Sequence, residues 1–204
     1  MNRHALVREF MRAFQQPTPD APTLLDHKTS QFRFGLVMEE AFETKRDWGN
    51  IVGRMDGICD LLYVAHGWAV TAGIEVFGLK IHAPTVVRDH LLPTIATDAA
   101  FCCEAPTTEL LTGNLSMLIG TCLQVADVSG FAEHVVDECF AEVHRSNMSK
   151  LWTAQEIESL PADCHATITY GDAYIVKRSD GKVIKSPSYS PANLEPIIKR
   201  HGLV

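Results

Sequence analysis

Two pairs of carboxylates are the residues of this chain best placed to do chemistry: Glu40 with Glu43, and Asp56 with Asp60. At about 100° per residue, the members of each pair share one stripe of a helix. Both pairs sit in apolar sequence, with Leu36, Val37, Met38, Ala41 and Phe42 around the first and Ile58, Leu61, Leu62 and Val64 around the second. Packing those helices draws the acids inward, and four carboxylates in a poorly solvated cleft need a counter-charge. A hard divalent cation, Mg²⁺ or Mn²⁺, supplies it through oxygen ligands and usually arrives with a substrate phosphate. A solvated acidic stripe is the plainer alternative. It costs roughly 0.2–0.5 kcal/mol per like-charged pair, and between Gln31 and Glu43 only Arg33 is there to relieve it. The pattern therefore predicts a metal site made of Glu40, Glu43, Asp56 and Asp60.

A polar cluster further along, His144-Arg145-Ser146-Asn147-Met148-Ser149-Lys150, offers an amide, two hydroxyls and two cations. Such a set suits recognition of phosphate and of sugar or base edges, although basic groups at a helix C-terminus are an equally ordinary reading. Lys182 and Lys185 form a second cationic group. Other chemistries fail on inspection. The chain has no GxxxxGK[ST] phosphate loop and no GxGxxG dinucleotide turn. No glutamate is followed three residues later by histidine, as a di-iron bundle requires. His66 reads as a core or site-wall residue, since Mg²⁺ prefers oxygen.

The elements that must position these groups are mostly helices. Leu6, Val7, Phe10, Met11 and Phe14 recur at helical spacing over 3–14, and Pro17, Pro19 and Pro22 then interrupt the chain. A helix from Thr23 to about Lys45 carries the first acidic pair, Gly49-Asn50 turns the chain, and a buried helix over 51–72 carries the second and stops at Gly73. Short segments around Val86-Val87 and Leu91-Leu92 follow, delimited by Pro84, Pro93 and Pro106, in a stretch that reads as a pocket-shaping insertion. Two more helices are expected over 108–125 and 129–144, and Thr153 with Glu156 forms a capping box. Ala166–Tyr170 and Ala173–Lys177 read as strands, with Asp180-Gly181 turning into Lys182–Lys185 as a hairpin. The expected fold is mainly α, a single domain with a helical core over about 23–150, a small C-terminal β-hairpin over about 165–186 and a tail over 187–204.

Composition limits the function. A length of 204 residues allows one ordinary domain with a real core, and 46% hydrophobic with 21% charged residues is a globular balance. A net charge of −7 argues against a protein that neutralises a nucleic-acid backbone. Charges within Met1–Glu9 do not suit a signal peptide and no run of 18 apolar residues occurs. A cytoplasmic location is expected, with no membrane partner and with six reduced cysteines.

Glu40-x-x-Glu43, preceded by Glu39 and followed by Asp56 and Asp60, resembles the motif of the MazG-like all-α nucleoside triphosphate pyrophosphohydrolases, ExxE and then ExxD. Asp60-Leu61-Leu62-Tyr63-Val64 with Gly67, Val143–Lys150 and Asp180–Pro187 are similar to segments of phage-type members. The second motif departs from the family at Gly57, where glutamate is expected, and Asp56 stands in one position earlier. The resemblance implies a MazG-like helical bundle that converts a (d)NTP to its monophosphate and pyrophosphate. It implies that Glu40, Glu43, Asp56 and Asp60 hold Mg²⁺ or Mn²⁺ and that Glu39, Glu40 and Glu43 are catalytic, with Glu39 the candidate base for the attacking water. Lys150, Lys182 and Lys185 then hold the β- and γ-phosphates, with Arg145 beside them, and Asn147 meets sugar or base. Self-association as a homodimer or homotetramer and a preference for dGTP or GTP are implied in the same way. A dUTP or dCTP hydrolase of the same superfamily, and a helical interaction protein without catalysis, are the alternatives.

Overall fold

The computed structural model describes residues 1–76 and 88–203. The body is built from α1 (Arg3–Ala13), α2 (His27–Arg46), α3 (Ile51–Thr71), α4 (Arg88–Glu104), α5 (Thr108–Val128) and α6 (Glu133–Met148). After the one-turn α7 (Ala154–Ile157) come three antiparallel strands, β1 (Cys164–Ile168), β2 (Tyr174–Arg178) and β3 (Val183–Ile184), and then α8 (Glu195–Arg200). The protein is mainly helical with a small C-terminal sheet, as expected, and the sheet has a third strand beyond a hairpin.

Side-chain caps set where the helices begin. Asn2, Asp26, Asn50, Thr107 and Thr153 each accept a hydrogen bond from a backbone N–H of the first turn that follows. The cap at Asp26 explains why α2 starts at His27 and not at Thr23. Residues before it are held elsewhere, the Thr23 N–H donating to the Ala72 carbonyl at 2.8 Å. α3 is the central helix, packed against α1, α2, α5 and α6. Ile58, Leu61, Leu62 and Trp68 on it are fully buried, so it is apolar on nearly every side.

Two glycines allow the chain to close up around α3. Gly73 has φ +65° and ends the helix as a left-handed cap, with the Ile74 N–H donating to Ala69 O at 3.0 Å and the Gly73 N–H to Val70 O at 3.1 Å. A Cβ at Gly73 would lie 2.3 Å from the Ala21 carbonyl oxygen. Gly57 is the other: a Cβ there would lie 2.6 Å from Thr44 Oγ1 and 2.8 Å from Thr44 Cα. At this point α2 and α3 approach backbone to backbone.

α4 was not foreseen. Pro93 lies inside it, on the exposed side, while Leu91, Ile95, Ala99 and Cys102 form a buried stripe against the body. Proline removes one hydrogen bond of the ladder, but its ring faces water and the opposite face still packs. α4 packs on α2 and α5 and does not line the cleft described below. The segment expected around Val86-Val87 lies outside the described residues. α5 runs on to Val128 and α6 starts at Glu133, so the break between them falls a few residues later than the spacing predicts. α6 also continues past His144 to Met148, which places most of the polar cluster on its last turn.

The sheet aligns Ala166 with Val176 and Val176 with Ile184. Strand β1 ends at Ile168, earlier than expected, because Thr169–Ala173 form the connection to β2. The sheet rests on the end of α1: Ile175 packs with Ala13 and Phe14, Gln15 Nε2 donates to Ile168 O at 3.0 Å, and Thr169 Oγ1 donates to Ala13 O. Beyond it the tail is not loose. Leu194 and Ile198 join the main core, and Arg200 pairs with Glu138 of α6. Among the described residues no single helix is long and apolar enough to cross a membrane.

The two close approaches make a stability prediction. Gly73→Ala and Gly57→Ala should each lower the unfolding free energy by about 1–3 kcal/mol, the first through a strained φ and a carbonyl clash, the second by prising α2 from α3. Urea unfolding curves would check this; a change within about 0.5 kcal/mol at either site would contradict the tight packing.

Candidate active site

The Thr44–Gly57 contact sets the register of the site. One turn back from Thr44 on α2 is Glu40, whose carbonyl accepts the Thr44 hydroxyl at 2.7 Å. On α3, which runs the opposite way, Asp60 follows Gly57 by about one turn, so Glu40 and Asp60 face the same cleft. Position 57 itself faces the α2 backbone. A glutamate there has no room, and the neighbouring acid, Asp56, is the one that reaches the cleft.

The cleft has a volume of about 400 Å³. Glu40, Asp56 and Asp60 line one side of it; Ser146, Asn147 and Lys150 from the end of α6 line another. Once α6 is seen to reach Met148, Val143 and Asn147 fall one turn apart on its cleft-facing stripe, and Lys150 follows in the turn after the helix. Burial, then repulsion from Glu43 and its acidic neighbours, raises Glu40 to a pKa of about 7. Burial, then repulsion from Asp56 and Glu40, raises Asp60 to about 8. Asp56 is shifted upward in the same sense by burial, Glu43 and Asp47, although its side chain stands at the exposed rim. Lys150 opposes these shifts in Glu40 and Asp60, and burial lowers the pKa of its own amine.

A hydrogen-bonded chain crosses the floor of the cleft. Lys150 Nζ donates to Asn147 Oδ1 at 2.6 Å, and the Asn147 amide bonds the Tyr63 phenol. Tyr63 OH and His144 Nδ1 are 3.0 Å apart, and His144 Nε2 lies 3.4 Å from Glu9 Oε2. Burial foremost keeps His144 below its ordinary pKa. With a neutral ring, the consistent assignment has the Tyr63 hydroxyl donating to Nδ1 and the Nε2–H pointing at Glu9. Tyr63 also stacks on Phe140 at 5.4 Å between centroids, which fixes the phenol.

The structure brings together Glu40, Asp56, Asp60, Asn147 and Lys150. Glu43 stands outside the lining, half-exposed and 3.1 Å from Arg46, which also pairs with Asp47. Glu39 is exposed on α2, within electrostatic reach of Glu40. Lys185 does not line the cleft, but its Nζ stands 4.2 Å from the centre of the ring of Tyr189, which does. Two expected substrate contacts are placed elsewhere. Arg145 does not line the cleft: its guanidinium bonds Glu142 at 2.7 and 2.8 Å and the Ser190 and Pro191 carbonyls of the tail at 3.4 and 3.0 Å. Lys182 sits in the hairpin turn beside Asp180, whose carboxylate accepts its backbone N–H at 3.0 Å. Sequence reasoning did not foresee Phe10, Tyr189, Pro191 or Ala192 as lining. No local spacing announces them, because they are joined to the acids only through the tertiary fold.

The donor set fits a divalent cation by its chemistry: hard carboxylate oxygens of one sign, several already destabilised in their charged form by each other. Their arrangement is open. Among the described residues no three His, Cys, Asp or Glu side chains stand close enough to hold one ion, so the acids flank the cleft without closing a ligand cage.

Comparison with known proteins agrees with this geometry. The phosphoribosyl-ATP pyrophosphohydrolase family matches residues 7–79, a stretch that contains both acidic pairs. An uncharacterized protein of Acanthamoeba polyphaga mimivirus is 25% identical, with 95% of this chain and 94% of that protein covered. No solved structure matches. The match over residues 7–79 supports, for that part of the chain, a likeness to the MazG-like, all-α nucleoside triphosphate pyrophosphohydrolase superfamily.

Proposed function

We propose that this protein is a metal-dependent nucleoside triphosphate pyrophosphohydrolase that opens the α–β phosphoanhydride bond of a (d)NTP and releases the monophosphate and pyrophosphate. The observation that carries the reading is that Glu40 and Asp60, with Asp56 at the rim, share a cleft with Lys150, the three acids lying inside the stretch that matches this superfamily. Glu40, Glu43, Asp56 and Asp60 would hold Mg²⁺ or Mn²⁺; the ion, when bound, supplies charge neutralisation and Lewis-acid polarisation of a phosphoryl oxygen. Lys150, already at the cleft wall, pairs with the phosphates that become the leaving group, aided by Lys185. Asn147 offers its amide to sugar or base, held in place by Tyr63 and Lys150. Glu39, exposed beside Glu40, accepts the proton of the attacking water.

The preferred substrate in this reading is dGTP or GTP, in phage-type nucleotide metabolism, with the enzyme acting as a homodimer or homotetramer in the cytoplasm. Its support is the phage-like run Asp60–Val64 with Gly67. A dUTP or dCTP hydrolase would use the same acids and differ in base contacts alone.

Pyrophosphate release from a panel of ribo- and deoxyribonucleoside triphosphates with Mg²⁺ or Mn²⁺ tests the reading. Asp60→Asn and Glu40→Gln should each reduce kcat/KM by about 100-fold or more, and Lys150→Met by about tenfold or more, while the fold is retained. Full activity in Asp60→Asn would sink the assignment.

A second expectation concerns pH. Glu40 and Asp60 have folded pKa values of about 7 and 8, above the roughly 4 of an unfolded carboxylate. Between those values the folded protein binds protons that the unfolded chain has released, so stability falls as pH rises through this window. Metal-free protein should therefore melt several degrees lower at pH 8 than at pH 5, and added Mn²⁺ should recover more of that loss at pH 8 than at pH 5. Thermal melts with and without chelator measure both.

A further inference from the structure

The acids occupy one side of the cleft, and the opposite lip comes from a part of the chain far outside the matched domain. Tyr189, Pro191 and Ala192, from the tail, face the same cavity as Glu40 and Asp60. This segment is fixed by more contacts than a wandering terminus needs. Arg145 holds the Ser190 and Pro191 carbonyls, the Ser149 hydroxyl lies 3.1 Å from the Ser190 N–H and 3.2 Å from its carbonyl, and the Asn193 N–H donates to Glu142 Oε1 at 2.9 Å. Upstream, Ser186 Oγ and the Ser188 N–H donate to Glu156 at 2.7 and 3.1 Å. Downstream, Leu194 and Ile198 are anchored in the core. The stretch between the two anchors is a strap drawn across the mouth.

The strap presents a ring, a proline and a methyl group to the cavity. Phe10, Val64 and Val143 add apolar surface to the same cavity. The lining thus combines charged groups with apolar ones, as a nucleotide combines charged phosphates with a flat base. Lys185 stands at the Tyr189 ring.

We infer that the strap over 189–192 is the nucleobase-binding wall of this site, with Tyr189 as its stacking surface and Arg145 as the positioning residue that holds the strap in place. The inference rests on the nucleotide reading above and adds to it the residues that select the base. Stacking on an aromatic ring is sequence-tolerant, so Tyr189 supplies affinity for any base. The room left beside Ala192 sets how large that base is.

The test compares the KM of Tyr189→Ala for dGTP, GTP, dCTP and dUTP with its inhibition constant for inorganic tripolyphosphate, a probe that has the phosphates and no base. Tyr189→Ala should raise KM by about tenfold or more for every nucleotide, with the tripolyphosphate constant within about twofold of wild type, and Tyr189→Phe should recover most of the loss. Ala192→Phe, a second and independent variant, should lower kcat/KM for purine nucleotides more than for pyrimidine nucleotides. An unchanged KM in Tyr189→Ala would overturn the wall. So would an equal loss for nucleotides and tripolyphosphate, which would place the ring's effect on the phosphates through Lys185. Equal losses for purines and pyrimidines in Ala192→Phe would remove the size selection. Wild-type protein that hydrolyses none of these nucleotides would overturn the functional reading itself, whereas an active wild type with unmoved variants would overturn the wall alone.

Discussion

The distance between α2 and α3 at Thr44 and Gly57 governs the rest of the site. With no side chain at Gly57, the two backbones touch, and the acids one turn away on each helix are brought to the same cleft. Burial first, and then their proximity, carries an electrostatic cost, visible in the upward shifts of Glu40, Asp56 and Asp60. Hydrophobic packing of α3 on four neighbouring helices offsets that cost. A buried cluster of like charges is tolerated where a well-filled core holds its scaffold, and here the acids lie beside the most completely buried helix of the protein.

A second consequence concerns Lys150. It is the cation that relieves Glu40 and Asp60, yet it comes from the turn that follows α6 and is itself held by Asn147. The chain from Lys150 through Asn147, Tyr63 and His144 to Glu9 links α6, α3 and α1 across the cleft floor. Each polar group in it has a partner, which keeps a polar floor compatible with a packed interior.

Much of this was legible in the sequence, for identifiable reasons. The acidic pairs and α1, α3 and α5 follow from apolar periodicity and from breaks such as Gly49-Asn50 and Gly73. α4 was hidden because Pro93 reads as a breaker, although Leu91, Ile95, Ala99 and Cys102 carry a helical stripe on the other face. The end of α6 was legible only as one of two readings: its polar residues suit a recognition segment or a helix C-terminus, and they prove to be positions of a helix that continues to Met148. Arg145 shows the limit of reading charge as ligand, since its guanidinium is satisfied by Glu142 and the tail. Phe10, Tyr189, Pro191 and Ala192 could not be read locally, because their proximity to the acids exists only after long-range packing. Gly57 reads as a defect in a motif, and the structure shows it as a steric requirement.

The location of the strap at the far end of the chain separates two kinds of change that most clefts combine. Substitutions over 189–192 can reshape one lip of the cavity without touching α2 or α3, so the acid framework and the opposite wall are free to drift at different rates. It also fixes an order in time. During synthesis the acid-bearing helices emerge before the strap does, and the cavity gains its strap-lined side only when the segment after β3 folds back onto α6.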